Sequence, residues 1–418
     1  INESIYPDYK QHQLGTPDYD GLLLDQYISV IELVNPMHSL WSDGRWNKLT
    51  MAHGCYWGKC TFCDISLDYI KSYEPIAASL LADRMETLIE QTGQTGFHFV
   101  DEAAPPSLMK ALAIEILRRK LVVSWWANVR FEKSFTRDLC QLLKSAGCIA
   151  VSGGLEVASD RLLALIDKGI TVSQVAKVSQ HFSEAGIMVH AYLMYGFPTQ
   201  TAQETVDSLE VVRQLVENGV MHSGFWHQFA LTTHSPVGLN PDAYQIQILN
   251  PEPGTFANND LEHADPTGTD HALFSEGLKK SLFNYMHGIG LDMPLQDWFD
   301  FKIPRTQIPK NYINRILAST AESSPKPTAK ICWLGPVPTK SKKYLLFSLG
   351  KEEVELEVSG KLGDWLMDVL PQLSLGAEKT GIFAEFEASF SKTGLGDFEN
   401  FWEGEIAEEL REMGLLVI

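Results

Sequence analysis

Three cysteines stand close together between residues 55 and 63, and they carry the clearest chemical signal in the chain. They are Cys55, Cys60 and Cys63, with four and two residues between them. Structural zinc sites and electron-transfer iron-sulfur clusters usually take four protein ligands, so three thiolates leave one coordination position open to a small molecule. Aromatic side chains on the same segment, among them Phe62, can shield the sulfurs from water. The pattern therefore indicates an oxygen-sensitive redox centre.

This segment ends in Cys-Thr-Phe-Cys directly after a predicted strand, and it resembles the signature of the radical S-adenosylmethionine (SAM) enzymes. The resemblance implies a 4Fe-4S cluster on the three cysteines, whose fourth iron chelates SAM, and reductive cleavage of SAM to a 5'-deoxyadenosyl radical. The usual spacing in that family is CxxxCxxC, whereas this chain has one extra residue between Cys55 and Cys60. A different class stays open: a non-enzymatic zinc-binding adaptor that borrows a fourth ligand from Cys140, Cys148 or His53.

Further segments resemble the places where radical SAM enzymes contact their cofactors. Asp101 and Glu102 follow the second predicted strand and can pair with the SAM ammonium group, although acids also favour helix N-termini. Arg130 can bind a carboxylate of SAM or of the substrate, with a structural ion pair as the alternative. The resemblance also assigns cofactor contacts to Phe62, Gly154, Glu156 and Gly196.

Two histidines mark the predicted substrate end of the molecule. His227 and His234 are candidates for a proton donor or a further ligand, although a lone histidine is more often structural. In the preceding strand, alternation places His190, Tyr192 and Met194 on one face, and their neighbours on the other. One of these two faces should line the interior of a barrel.

From residue 46 onwards, short apolar runs alternate with stretches of helical periodicity, which predicts a parallel α/β fold. Helices are predicted at 77–91, 106–120, 134–146, 160–185 and 201–218. Strands are predicted at 46–53, 96–101, 122–129, 148–153, 188–195 and 223–231. These six strands, with the five helices between them and a closing helix at 275–287, match the partial (βα)6 TIM-like barrel of the radical SAM family, in which chemistry belongs at the C-terminal ends of the strands.

The remaining segments suggest how the chain is organised into domains. The predicted parts are an N-terminal linker (1–45), a radical SAM barrel (46–318), a second linker (319–330) and a small C-terminal α+β domain (331–418). Within the barrel domain we expect a long loop at 240–270 over the mouth and a closing helix at 275–287. The C-terminal domain should contain a hairpin (344–358) and helices at 363–370 and 397–413. It weakly resembles a winged-helix module, with a lid or a dimer surface as alternatives.

Composition limits the partners. The net charge of −19 argues against a broad nucleic-acid surface, so we expect a small-molecule or peptide substrate. No segment approaches the roughly 20 consecutive apolar residues of a membrane helix. The six cysteines do not look like a disulfide framework, which favours the reducing cytoplasm. The family resemblance adds an electron donor such as flavodoxin or ferredoxin.

The sequence indicates the enzyme family more clearly than the type of reaction. Residues 17–27 resemble the linker that follows a cobalamin-binding domain in one branch of the radical SAM enzymes. Cobalamin is therefore expected through a domain outside this chain, and methyl transfer is the preferred specialisation. Hydrogen abstraction that leads to rearrangement or cross-linking, including peptide modification, is the second hypothesis.

Overall fold

The computed structural model describes residues 9–26, 46–250, 259–319, 324–349, 352–375 and 381–418. The chain divides into two compact units. The first comprises Ile1–Leu112, Val122–Phe135 and Gly147–Ser319, and the second comprises Ala113–Leu121, Thr136–Ala146 and Thr320–Ile418. The predicted linkers lie partly outside the described residues, so the predicted domain boundaries stay a prediction.

A parallel sheet of six strands forms the centre of the first unit, which confirms the predicted α/β class with its partial TIM-like barrel. Neighbouring strands follow one another in chain order, as expected for βα repeats. In sheet order the strands are β1 (Asn47–Leu49), β4 (Gly96–Phe99), β5 (Ser124–Val129), β6 (Cys148–Glu156), β7 (Met188–Tyr195) and β8 (Ser223–Gln228).

The two faces of this sheet differ in chemistry. Large apolar side chains such as Phe97, Trp125 and Val189 point to the face that is covered by helices, and they are fully buried. The other face carries mainly polar and aromatic residues in register across the ladder, including Asn128 opposite Ser152 on the next strand. This second face lines the inside of the partial barrel, and it carries His190, Tyr192 and Met194 from β7.

Amphipathic helices connect the strands. Their bounds are α1 (Asp68–Lys71), α2 (Ala78–Thr92), α3 (Pro106–Arg119), α4 (Arg137–Ser145), α5 (Asp160–Leu165), α6 (Val172–Glu184), α7 (Ala202–Glu217), α8 (Pro236–Leu239), α9 (Ser275–Met286) and α10 (Tyr312–Leu317). The single helix predicted at 160–185 was wrong, because α5 and α6 are separated by a turn in which Asp167 and Gly169 have φ of 52° and 71°. Across the described ranges, no helix is both long and apolar enough to span a bilayer.

Two further expectations differ from the structure. The first predicted strand (46–53) is divided into β1 and the short β2 (Ala52–His53), which pairs with β3 (Glu74–Pro75). The predicted loop at 240–270 contains two strands, β10 (Gln247–Asn250) and β11 (Asp260–Ala264), which form a small sheet with β9 (Leu231–Thr232). Residues 251–258 lie outside the described part. Apolar side chains such as Ile246 and Leu261 pack beyond the strand ends and favour this small sheet over an open loop.

The second unit is an α+β fold with its own apolar core, which includes Trp333, Trp365 and Phe386. One sheet contains β16 (Gly381–Ile382), β12 (Lys330–Trp333) and β17 (Leu415–Val417), and the other contains β13 (Thr339–Ser341), β14 (Tyr344–Leu349) and β15 (Glu352–Glu357). Within Thr320–Ile418 its helices are α11 (Gly360–Gln372), α12 (Phe383–Ser391), α13 (Phe398–Trp402) and α14 (Glu405–Glu412). The helix predicted at 397–413 is thus interrupted, at Glu403 and Gly404. Strands β14 and β15 match the predicted hairpin, whose residues 350 and 351 lie outside the described part.

Candidate functional site

The cysteine segment is fixed at its start by tight backbone contacts. Gly54 has φ of 70°, and a Cβ there would lie 2.5 Å from the carbonyl oxygen of Ser72. The next amide, that of Cys55, donates to the Ile70 carbonyl oxygen at 2.9 Å. Only glycine can combine this backbone angle with this approach. The sequence therefore determines where the cysteine loop leaves the sheet.

The turn between α5 and α6 holds the other end of this segment. The Thr61 amide donates to the Ile166 carbonyl at 2.8 Å, and the indole N–H of Trp57 donates to the Asp167 carbonyl at 2.8 Å. A Cβ on Gly169 would lie 2.2 Å from the Trp57 ring. The turn that interrupts the predicted long helix therefore binds the cysteine loop through its main-chain carbonyl groups.

Two cations lie next to Cys60. Arg130 Nη1 is 3.8 Å from Cys60 Sγ, and the buried Lys168 donates to Glu156 Oε1 at 2.6 Å. The hydrogen bond with Cys63, together with Lys168 and Arg130, lowers the pKa of the Cys60 thiol, although burial acts in the opposite direction. The same hydrogen bond, together with burial, raises the pKa of the Cys63 thiol. The thiolate, which is the form that binds metals, is therefore favoured at Cys60.

Backbone geometry at the end of β6 brings Glu156 to this place. The pairing of β6 with β7 shifts register between Gly154 and Glu156, and Glu156 has φ of 58°. A Cβ on Gly154 would lie 2.0 Å from Glu156 Oε1 and 2.7 Å from Lys168 Nζ. The ion pair therefore lies directly over Gly154, and an added Cβ would displace it.

The predicted acids at the end of β4 have different surroundings. Asp101 is buried, and its carboxylate accepts hydrogen bonds from the amides of Met51, at 3.0 Å, and Ala52, at 2.8 Å. Burial raises the pKa of Asp101 to about 6, against the effect of these amides. Glu102 is exposed. Asp101 therefore holds the chain just before the cysteine loop, and a direct SAM contact by either acid stays a prediction.

Gly196 lies in a tight turn after β7, with φ of 81°. Its amide donates to the buried Gln200 side chain at 2.7 Å, and a Cβ on it would approach His271 to 3.2 Å. Phe62 is half-buried, and its ring lies 5.6 Å from Lys168 Nζ. The structure brings Phe62 together with the ion pair, while a cofactor contact by Gly196 stays a prediction.

The two predicted histidines have different environments. His227 is on the inner face of the sheet, where its ring is 4.4 Å from that of Phe225. His234 is exposed and lines a cavity of about 540 Å³ that it shares with residues such as Ile65 and Leu239. Burial lowers the pKa of His227. Of the two, His227 is the one on the barrel interior, and a catalytic role for either stays a prediction.

The three cysteines offer thiol sulfurs as donors for a metal centre. All three cysteines are free thiols, and Cys60 and Cys63 are joined by a side-chain hydrogen bond. Over the ranges that the structure describes, no three histidine, cysteine or carboxylate side chains are already gathered as a metal-binding group. The thiol donors fit a cluster with three thiolate ligands by their chemical type, and Cys60 and Cys63 lie within hydrogen-bond distance of one another. Binding through all three cysteines is therefore a proposal.

One zinc ligand considered from the sequence is remote from this site. Cys148 begins β6 and Glu156 ends it, so eight residue steps at about 3.3 Å each separate them by about 26 Å. Glu156 adjoins the cysteine loop through Lys168, and Cys148 therefore lies at the opposite end of the strand. His53 is exposed and next to the loop, so it stays open as a ligand.

Sequence reasoning missed two parts of the site. Glu132 accepts a hydrogen bond from Arg130 Nε at 2.9 Å and another from the Tyr56 hydroxyl at 3.2 Å. The pairing of Lys168 with Glu156 was also missed, although Lys168 precedes Gly169 at a point where glycine in a helical pattern signals a break.

Part of the chain matches a known family and curated proteins. The model of the radical SAM superfamily matches residues 49–212. An uncharacterized methyltransferase of Pyrococcus horikoshii is 25% identical over 206 residues, which are 49% of this chain and 42% of that protein. The anaerobic magnesium-protoporphyrin IX monomethyl ester cyclase of Rubrivivax gelatinosus is 27% identical over 202 residues, 47% of this chain and 34% of that protein.

Among solved structures, the radical S-adenosylmethionine methyltransferase TsrM from Kitasatospora setae, with cobalamin and a [4Fe-4S] cluster bound, aligns with a TM-score of 0.44 and 19% identity. This alignment covers 58% of this chain and 52% of that one. The matched region spans less than half of the length of either curated relative.

Proposed function

We propose that this chain, whose residues 49–212 match the radical SAM superfamily, binds a 4Fe-4S cluster through Cys55, Cys60 and Cys63 and cleaves SAM reductively. The family uses this cluster and SAM. The observation that carries the proposal is the position of Cys60, within 3.8 Å of Arg130 and beside the buried Lys168, where the parallel strands end.

The side chains around the cysteines have roles that follow from their chemistry. When bound, the cluster supplies the electron that cleaves SAM to a 5'-deoxyadenosyl radical. Arg130 Nη1 can hold the SAM carboxylate beside the sulfur of Cys60, because a guanidinium is a strong donor to carboxylates. The carboxylate of Glu156 can accept from the ammonium or ribose of SAM while it also accepts from Lys168. Trp57, whose ring lies 4.3 Å from the Arg130 guanidinium, shields this position from water.

Methyl transfer assisted by cobalamin from a domain outside this chain is the specialisation that we propose first. The relative from Pyrococcus horikoshii is named a methyltransferase, as is the bacteriochlorophyllide d C-12(1)-methyltransferase of Chlorobaculum tepidum, which is 25% identical over 166 residues. The relative from Rubrivivax gelatinosus is named a cyclase, which favours hydrogen abstraction with rearrangement as the second candidate. Reduction by flavodoxin or ferredoxin in the cytoplasm belongs to the same proposal.

The first experiment measures 5'-deoxyadenosine formed from SAM by the anaerobically reconstituted protein with a strong reductant. We expect product from the wild-type protein and none from Cys60→Ala. Cys148→Ala is the matched control, since Cys148 is also a buried thiol but lies at the opposite end of β6. A brown protein with intact cluster and no product would refute SAM cleavage. A colourless protein that carries zinc would favour the adaptor instead.

A second measurement separates the two specialisations. Methyl transfer converts SAM to S-adenosylhomocysteine, whereas hydrogen abstraction alone does not. With cobalamin and candidate substrates added, we therefore expect S-adenosylhomocysteine to accumulate together with methylated product. Its absence from reactions that consume substrate and release 5'-deoxyadenosine would favour hydrogen abstraction.

A further inference from the structure

Three aromatic rings on the inner face of the sheet are open to solvent. Tyr192 on β7 is 37% exposed, Phe225 on β8 is 50% exposed and His227 is also exposed. The ladder places Tyr192 directly opposite Phe225. The His227 ring lies 4.4 Å from Phe225 and 6.5 Å from Tyr192 between ring centroids. We name these three residues the aromatic platform.

The platform adjoins the proposed SAM site. The charge of Glu156 acts on both Tyr192 and His227, so both rings lie within electrostatic range of the carboxylate that pairs with Lys168. Tyr192 also lies in register with Gly154, over which that ion pair sits. A molecule resting on the platform would therefore be next to the place where SAM is cleaved.

Charge and polarity at the platform narrow the type of ligand. The exposed rings of Phe225 and His227 can stack on a conjugated system. The exposed Lys279 of α9 acts electrostatically on His227 and provides a nearby cation. Deeper on the same face, the buried Asn128 Oδ1 has no hydrogen-bond partner in the part of the chain that the structure describes. It is an acceptor available to a donor group.

We propose that the aromatic platform stacks a planar conjugated ring of the substrate, and that Lys279 pairs with an acidic substituent of that ring. The proposal rests on the proposed function, because a ring bound on the platform could react only if SAM is cleaved beside it. The planes of Phe225 and His227 are inclined by 50°, so one of these rings would stack on the face of the ligand while the other contacts its edge. The cation would fix the orientation of the ligand. The substrate class is therefore a flat conjugated carboxylic acid.

The test uses protoporphyrin IX as a planar dicarboxylic probe and the anaerobically reconstituted full chain. Binding is measured by the fluorescence anisotropy of the porphyrin. Phe225→Ala should weaken binding about five- to tenfold, as expected for the loss of one aromatic stacking partner. Phe283→Ala is the matched control, because Phe283 is 44% exposed on α9 and contacts His287 at 4.7 Å in a similar ring pair. This control should bind like the wild-type protein.

A second comparison tests the cation. Lys279→Gln should weaken binding of protoporphyrin IX about three- to fivefold and leave the binding of its dimethyl ester unchanged, since the ester carries no acid. Equal binding by wild-type and Phe225→Ala, or no binding by the wild-type protein, would overturn the platform. Failure of the wild-type protein to form 5'-deoxyadenosine is measured separately and would overturn the proposed function.

Discussion

Replacing Lys168 with methionine should destabilise the first unit by about 3–5 kcal/mol, the typical cost of leaving one partner of a buried ion pair uncompensated. The side chains of Lys168 and Glu156 are only 9% and 12% exposed, so water cannot take the place of the missing partner. Methionine keeps the length and most of the volume of the lysine stem. The expected loss is therefore electrostatic and not a packing effect.

The geometry supports this magnitude. At the N–O distance of 2.6 Å, an effective dielectric constant of about 20 gives an attraction of roughly 6 kcal/mol. Part of this attraction only offsets the desolvation of the two charges, so the loss on removing one of them is smaller. The hydrogen bond that Arg130 donates to the carbonyl of Lys168 involves the main chain and is kept in the variant.

The assay is urea unfolding of four proteins: wild type, Lys168→Met, Glu156→Gln and the double variant. Hydrogen exchange of residues 148–156 identifies the transition of the first unit. The double variant should be more stable than Lys168→Met, because it buries no lone charge, and the coupling energy should be at least about 2 kcal/mol. If the destabilisation of the double variant equals the sum of those of the two single variants within about 0.5 kcal/mol, the idea of a buried, coupled pair is refuted.

Two further outcomes test the surroundings of the cysteine loop. The stability of the wild-type protein relative to Asp101→Asn should fall as pH rises from about 4 through about 6, because burial raises the folded-state pKa of Asp101 to about 6, above the roughly 3.9 of an unfolded chain. Urea midpoints of both proteins across that range measure this, and a constant difference would contradict it. Gly169→Ala should lower the free energy of unfolding by at least about 2 kcal/mol more than Gly93→Ala does. Both glycines have φ near 70°, but only at Gly169 would an added Cβ lie 2.2 Å from the Trp57 ring. Equal urea midpoints for the two variants would show that the Trp57 ring can move aside without loss of stability.

The strands of the barrel could be predicted because their signal is local. The run at 188–195 is apolar and is bounded by Gly186 and Gly196, and β7 has these same limits. Predictions from the local sequence failed where a hydrogen-bond partner lies far away in the chain. The first strand is interrupted at Met51 because its amide donates to Asp101, which lies 50 positions later.

The candidate site was predictable in its residue types but not in its pairings. Glycine and acid at 154 and 156 suggested a ligand contact, yet nothing local to them indicates that Lys168 is the partner. Alternation likewise divides β7 into two faces without showing which face is inside. That choice depends on which face the helices cover, and it is what exposes Tyr192 and Phe225 to the barrel interior.

The end of β6 gives the strongest physical reason to regard the ion pair as part of a functional site. Glu156 has φ of 58°, a left-handed conformation that costs a residue with a side chain about 1–2 kcal/mol. A surface ion pair would not need this strain, since Glu and Lys can meet on ordinary strands and helices. Here the strain folds the carboxylate back over Gly154, where it faces Lys168 and lies within electrostatic range of Cys60. Because backbone strain of this kind persists mainly where a site requires it, the geometry supports a carboxylate that is held ready for a ligand at the cysteine loop.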